Sequence, residues 1–270
     1  MEEFRGLVLI GEVIGAEKDR VGSAAWLRDL VGELDAAYGE ERVAAFGFLQ
    51  GDELQGQLSA DSDPLRAVLH AALGPASRPI RWVCVSGCVD PGEGPATERT
   101  GQAYAIAHAA MKAARTRHDR LVLTTGSDAV DELLSDLTPV LADLLDGLTA
   151  RQRAVARLAL LDGLRQSEVA GRLGVRRATI SVSFARARIQ SLTGLAAAIR
   201  RLYVTGSSSG AAPNEPSRAI ALGALGLGPA GPATASPAAP SSAVASPAPA
   251  SAELASAPVT ILATATGATR

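Results

Sequence analysis

The sequence predicts an α+β fold in which a sheet domain is followed by an all-α module and a disordered tail. Short β-branched apolar runs alternate with helical periodicity through residues 1–147. Residues 148–204 show only helical periodicity, and from residue 205 the chain is almost entirely Ala, Pro, Ser, Gly and Thr. A segment with the composition of residues 205–270 can bury too little apolar surface to offset the loss of chain entropy on folding. We therefore expect domains at 1–147 and 148–204 and disorder over 205–270.

Nine elements are predicted in the sheet domain, in the order βαββαβαβα. Strands are expected at residues 7–14, 42–49, 53–60, 80–89 and 121–125. Four helices are expected. The first covers 21–38, the second begins at the Asp63-Pro64 cap, the third follows the loop at 94–101 and ends at about residue 115, and the fourth covers 128–145. Strands two and three are nearly contiguous, which predicts a hairpin. The order through the fifth strand is the split βαβ arrangement of a ferredoxin-like sheet, extended by one αβ unit.

A helix-turn-helix is predicted within residues 148–204. Thr149 stands three residues before Gln152, which is the spacing of a capping box. Gly174 occupies a tight turn that requires a positive φ, and the next helix is expected from about Arg177. The inner, apolar positions of this motif are Val169, Ala170, Leu173, Val175 and Ile180.

The charge of the chain is divided unequally between its segments. Residues 1–147 contain 13 basic and 24 acidic residues, whereas residues 148–204 contain 11 Arg and two acids. A basic module beside an acidic domain indicates a polyanionic partner, here double-stranded DNA. A helical hairpin that contacts only protein is the alternative. The candidate DNA contacts are Arg176, Arg177, Thr179, Ser181, Ser183, Arg186 and Arg188.

The stretch LTARQRAVARL…GLRQSEVAGRLGVRRATIS resembles the helix-turn-helix of sigma-factor region 4 and of LuxR-type regulators. The resemblance implies binding to duplex DNA. Arg176 stands where many relatives have a capping Ser or Thr. A lone module of this size usually binds weakly, so we also expect a homodimer that reads palindromic half-sites.

The segments VLIGEVIGA (8–16), LQGDELQGQL (49–58) and DPGEGPATERTGQAYAIAHAA (90–110) resemble the SatD family. The element order also resembles the nucleotidyl cyclase and GGDEF-type fold. In those enzymes one acid ends the first strand and another lies in the hairpin, and together they hold two Mg²⁺ ions on a nucleoside triphosphate. The resemblance places Glu12 and Asp52 as ligands, with Glu53 beside them.

The sequence departs from that pattern at two positions. Glu12 stands where Asp is usual, and Gln50 precedes Gly51, so the second glycine of the signature is missing. Mg²⁺ tolerates displaced ligands poorly because its octahedral geometry is tight. Three interpretations of Gly51-Asp52-Glu53 stay open: a metal or nucleotide site without catalysis, an active enzyme, or a structural hairpin with solvated acids.

The expected function is a DNA-binding transcriptional regulator whose N-terminal domain senses a ligand or mediates assembly. The alternatives are a Mg-dependent nucleotide-binding or cyclase-like enzyme and an adaptor that binds protein. Cys84 and Cys88 are expected to be free, small hydrophobes, because four residues along a strand place them too far apart for a disulfide. The acidic N-terminus and the lack of a long apolar run predict a cytoplasmic protein.

Overall fold

The computed structural model describes residues 4–49 and 52–209, which belong to one compact unit. Within these residues there is one five-stranded sheet, of order β2-β3-β1-β4-β5. β1 lies antiparallel to both β3 and β4, β2 is antiparallel to β3, and β4 is parallel to β5. The hairpin of strands two and three is confirmed. The strands are β1 Arg5–Val13, β2 Arg42–Leu49, β3 Glu53–Ser59, β4 Ile80–Cys88 and β5 Leu121–Thr124.

Eight α-helices are present in the described part of the chain. Local signals set two of the starts: Asp63 Oδ1 accepts a hydrogen bond from the Leu65 amide at 3.0 Å, and Thr149 forms the expected capping box with Gln152. The helices are α1 Arg20–Tyr38, α2 Pro64–Leu73, α3 Gln102–Arg117, α4 Asp128–Asp146, α5 Ala150–Leu160, α6 Gln166–Leu173, α7 Arg177–Arg186 and α8 Ile189–Ser209.

Both faces of the sheet are covered, so the central strand β1 is buried on both sides. Leu7 and Leu9 face the larger core, which α1, α2, α4 and α8 complete. Val8 and Ile10 face the smaller core beneath α3. All four side chains are fully buried. Because both faces of β1 are covered, its residues 7–10 are all apolar, instead of alternating between apolar and polar.

The helix α8 belongs to the core of the sheet domain. Ile199 and Tyr203 of α8 share one buried cluster with Leu134 and Leu141 of α4. This core therefore crosses residue 147, the expected domain boundary. Tyr203 is 2% exposed.

The predicted tail begins too early. Residues 205–209 complete α8 instead of being disordered. Gly206 is buried, and a Cβ there would run into Thr125 and Val130, so the missing side chain permits close packing. Residues 210–270 lie outside the described residues.

Cys84 and Cys88 do not form a disulfide with each other, in agreement with their spacing, and Cys84 is buried while Cys88 is partly buried. In the described ranges 4–49 and 52–209, no helix is long and apolar enough to cross a membrane.

Candidate nucleic-acid interface and acidic strand ends

The turn between α6 and α7 is made by Gly174, which has φ 63° and ψ 31°. Its amide donates to the Gly171 carbonyl at 3.3 Å, and the Val175 amide donates to the Ala170 carbonyl at 3.0 Å. These bonds satisfy the last carbonyls of α6 while the left-handed residue reverses the chain. The sequence correctly predicted this turn.

A small apolar cluster holds α5, α6 and α7 together. Val155, Val169, Ala170 and Ile180 are each at most 5% exposed, and partly buried side chains pack around them. The prediction for Leu173 was wrong, because it is 39% exposed. Leu173 is the last residue of α6 and lies outside the cluster that joins the three helices.

The predicted DNA contacts mostly lie at the surface of α7 and its ends. Arg176, Arg177, Thr179, Ser181, Arg186 and Arg188 are exposed. Ser183 is only partly exposed, and its hydroxyl donates to the Thr179 carbonyl at 3.0 Å. Arg176 provides no side-chain cap to α7, so the amides of the first turn have no side-chain acceptor from that position.

Most arginines of the sheet domain have carboxylate partners, whereas those of α6 and of α7 and its ends do not within the described ranges. In the described residues, no carboxylate pairs with the exposed Arg172, Arg176, Arg177, Arg186 or Arg188. By contrast, ion pairs neutralise Arg42, Arg66, Arg78, Arg81, Arg115, Arg117 and Arg120. The helical surface therefore carries positive charge that the protein itself does not compensate.

Two ion pairs connect these helices to the sheet domain. Arg157 of α5 donates to Glu33 of α1 at 3.0 Å, and Arg200 of α8 donates to Asp63 at 2.8 Å. Glu33 also lies 3.4 Å from His70 Nδ1. Burial lowers the pKa of His70, and the contact with Glu33 opposes this shift.

The acidic strand ends lie on the α3 side of the sheet. Glu12 of β1 is directly opposite Glu53 of β3 and Arg81 of β4 in the strand register. Two carboxylates side by side repel each other unless positive charge lies between or beside them. Arg81 supplies such a charge from the sheet, and Arg115 supplies a second from α3.

All four carboxylate oxygens of Glu12 and Glu53 accept hydrogen bonds from side chains. Glu12 Oε2 accepts from Arg81 at 2.6 Å, and Glu12 Oε1 accepts from Arg115 Nε at 2.8 Å. Glu53 Oε2 accepts from Arg115 at 3.2 Å, and Glu53 Oε1 accepts from Gln55 at 3.1 Å. The two acids and two guanidinium groups form a network without net charge.

The third candidate ligand, Asp52, is separate from this network. Its side chain is partly exposed, and its carbonyl accepts from the Val13 amide at 2.9 Å. Nowhere in residues 4–49 and 52–209 do three or more His, Cys, Asp or Glu residues form a group that could hold a metal ion. The sequence interpretation missed Arg81 and Arg115, although an arginine opposite Glu12 follows once β1 is paired with β4.

No family model matches the chain, and no curated protein matches it. Among solved structures, it is similar to a regulator of polyketide synthase expression from Bifidobacterium adolescentis. The two chains share 17% identity with a TM-score of 0.23, over 75% of this chain and 82% of the other. At these values the likeness carries no argument about fold or function.

Proposed function

We propose that this protein is a DNA-binding transcriptional regulator of the SatD type, in which α6 and α7 form the helix-turn-helix. The observation that carries the proposal is the set of exposed, uncompensated arginines on α6 and α7. Phosphate contacts by such arginines release counterions and supply most of the non-specific affinity for DNA. The adaptor alternative does not account for this concentration of free positive charge.

In this proposal α7 enters the major groove. Arg176 and Arg177, at the start of α7, contact backbone phosphates together with the uncapped amides of the first turn. Thr179 and Ser181 reach base edges or phosphates, and Ser183 contributes if its hydroxyl leaves the Thr179 carbonyl. Arg186 and Arg188 extend the phosphate contacts. Two copies of the chain would read two half-sites of a palindrome.

We also propose that the sheet domain is ferredoxin-like, in the variant found in nucleotidyl cyclases. The order β2-β3-β1-β4 with antiparallel neighbours supports the split βαβ assignment, and β5 is the added strand. In a regulator this domain would sense a ligand or mediate assembly.

A Mg-dependent enzyme using Glu12, Asp52 and Glu53 remains the alternative, but the arginine network gives it no support. Mg²⁺ would have to displace Arg115 from both glutamates. Wild-type protein heated with and without millimolar Mg²⁺ and GTP or ATP should show the same melting temperature. A rise with ligand concentration, by mass action on the folded state, would show that the domain binds metal or nucleotide. Nucleotide turnover that Asp52→Asn abolishes would favour the enzyme.

The test of the regulator is the salt dependence of binding to duplex DNA. Log affinity of the wild-type protein should fall steeply against log salt concentration, and the double variant Arg176→Gln/Arg177→Gln should reduce that slope by about 2. The matched control is Arg20→Gln/Arg28→Gln, which removes two exposed arginines that have no carboxylate partner in the described part of the sheet domain. An equal change in both double variants, or a flat wild-type slope, contradicts the proposal.

A further inference from the structure

A cavity of about 280 Å³ lies between α2, the first residues of β4 and β5, and the facing sides of α4 and α5. This volume is close to the lower end of the ~300–1,000 Å³ range typical of small-molecule sites. Most of its wall is apolar, built by Val68, Ala72, Ile80, Trp82, Leu121 and Leu145. Ile80 and Trp82 flank Arg81 in β4 but belong to the larger core, on the opposite face of the sheet from the acidic strand ends. No residue of α7 lines the cavity, so neither proposed site uses it.

Three arginines also line the cavity, and two of them are neutralised. Arg78 pairs with Asp19 at 2.6 Å, and Arg120 pairs with Asp146 at 2.8 Å. Arg153, on α5, has no hydrogen-bond or ion-pair partner for its guanidinium within the described residues. The cavity therefore carries one positive charge without a counter-ion.

The indole of Trp82 is a second polar feature of the wall without a partner. Trp82 is 2% exposed, and its Nε1 is buried with no hydrogen-bond acceptor among the residues described. The six-membered ring lies against Gly11 of β1, so the N–H, on the other edge of the indole, is directed away from β1. β5 and α4, which line the cavity, lie on that side. A buried donor without an acceptor is unfavourable, and a ligand oxygen would supply one.

We propose that this cavity binds a small monocarboxylate with a compact apolar body. Arg153 pairs with the carboxylate, the aliphatic wall takes the body, and the Trp82 N–H donates to a ligand oxygen. A single free arginine matches one negative charge, which favours a carboxylate over an inorganic phosphate. A ligand held by Arg153 would link α5 to the sheet. Only the regulatory role of this link, through the DNA-binding module, rests on the proposed function; the ligand site itself does not.

Calorimetric titration of the full chain, without DNA, tests the site with three probes. Octanoate carries both the anion and the apolar body, octanol carries the body alone, and inorganic phosphate carries the anion alone. Octanoate should bind saturably, and octanol at least about tenfold more weakly, because a charge-assisted bond to Arg153 is lost. Phosphate should show no binding. Equal binding of octanol and octanoate, or no heat with any probe, would overturn the proposal.

Two variants locate the site. Arg153→Gln should weaken octanoate by about tenfold or more, whereas Arg151→Gln, an exposed residue of the same helix outside the cavity, should not change it. In a Trp26→Phe background Trp82 is the sole tryptophan, and its fluorescence should change as octanoate saturates. Unchanged affinity in Arg153→Gln contradicts the site. Since no DNA is present, failure of the DNA-binding proposal would leave this result standing.

Discussion

At Glu12, one carboxylate holds two guanidinium groups that come from different elements. Arg81 arrives from the neighbouring strand and Arg115 from the helix above it. Arg81 is only 9% exposed in its side chain, so Glu12 compensates a charge that solvent reaches poorly. The ion pairs therefore form a structural clamp that joins β1, β4 and α3.

We predict that Glu12→Gln lowers the free energy of unfolding by about 1–3 kcal/mol, because Arg81 keeps its charge but loses its counter-ion. Urea unfolding measures this change. Asp119→Asn is the control: its pair with Arg117 is about one-third exposed on each side, and its loss should change stability by no more than about 0.5 kcal/mol. If Asp119→Asn lowered the free energy of unfolding more than Glu12→Gln did, the prediction that the Glu12 ion pairs are the more stabilising set would be contradicted.

The resemblance placed Glu12, Asp52 and Glu53 at one site, but nothing in the sequence indicated the arginine partners of the two glutamates. An acid at a strand end and another in a hairpin are local patterns. The contacts of Arg115 depend on how α3 lies across the sheet, joining residues 103 positions apart. Long-range packing of this kind leaves no periodicity in the chain.

At the scale of single elements, the turn from α6 to α7 was predictable because its determinants are local. The turn is defined by Gly174, which lies in the left-handed region, and by three buried apolar residues, Val169, Ala170 and Ile180. The prediction for Leu173 was wrong because the apolar periodicity of α6 extends to its last turn, whereas the apolar cluster that α6 packs against ends before that turn.

We predict that Gly174→Ala destabilises the protein by about 1 kcal/mol, because a Cβ is strained at φ 63°. Gly171→Ala should be neutral or stabilise by up to about 1 kcal/mol, since α6 is regular there. A new Cβ meets nothing within 4 Å at either position, so backbone conformation alone separates the pair. Thermal unfolding of both variants provides the measurement, and equal effects would contradict the reason given.

Across the whole molecule, one buried cluster joins the sheet to α5 and α8. Ala156, Ile189 and Tyr203 pack in the same core as Leu7 and Trp82. Composition and charge separated residues 148–204 as a module, because both properties change sharply at the surface. Neither property reports which buried faces meet, and so the shared core could not be predicted.

We predict that the sheet and helices α1–α8 unfold in one cooperative transition, because α5 and α8 share a buried core with the sheet. Tryptophan fluorescence reports on Trp26 and Trp82 in the sheet domain, whereas far-UV circular dichroism also reports on α5–α8. Both signals should give the same urea midpoint in wild type. Loss of helical signal before fluorescence would instead indicate an independent module with boundaries near 148 and 204.

The position of α8 also limits how this protein can be re-engineered. The chain leaves this core after α5, passes through α6 and α7, and returns to the core through α8, so α6 and α7 are anchored at both ends. Cutting at residue 147 would strip Ile199 and Tyr203 from Leu134 and Leu141, exposing apolar surface on both fragments. The segment that carries the arginines therefore cannot be moved to another protein as an independent unit, and changes to the exposed surface of α7 have to be made within the intact chain.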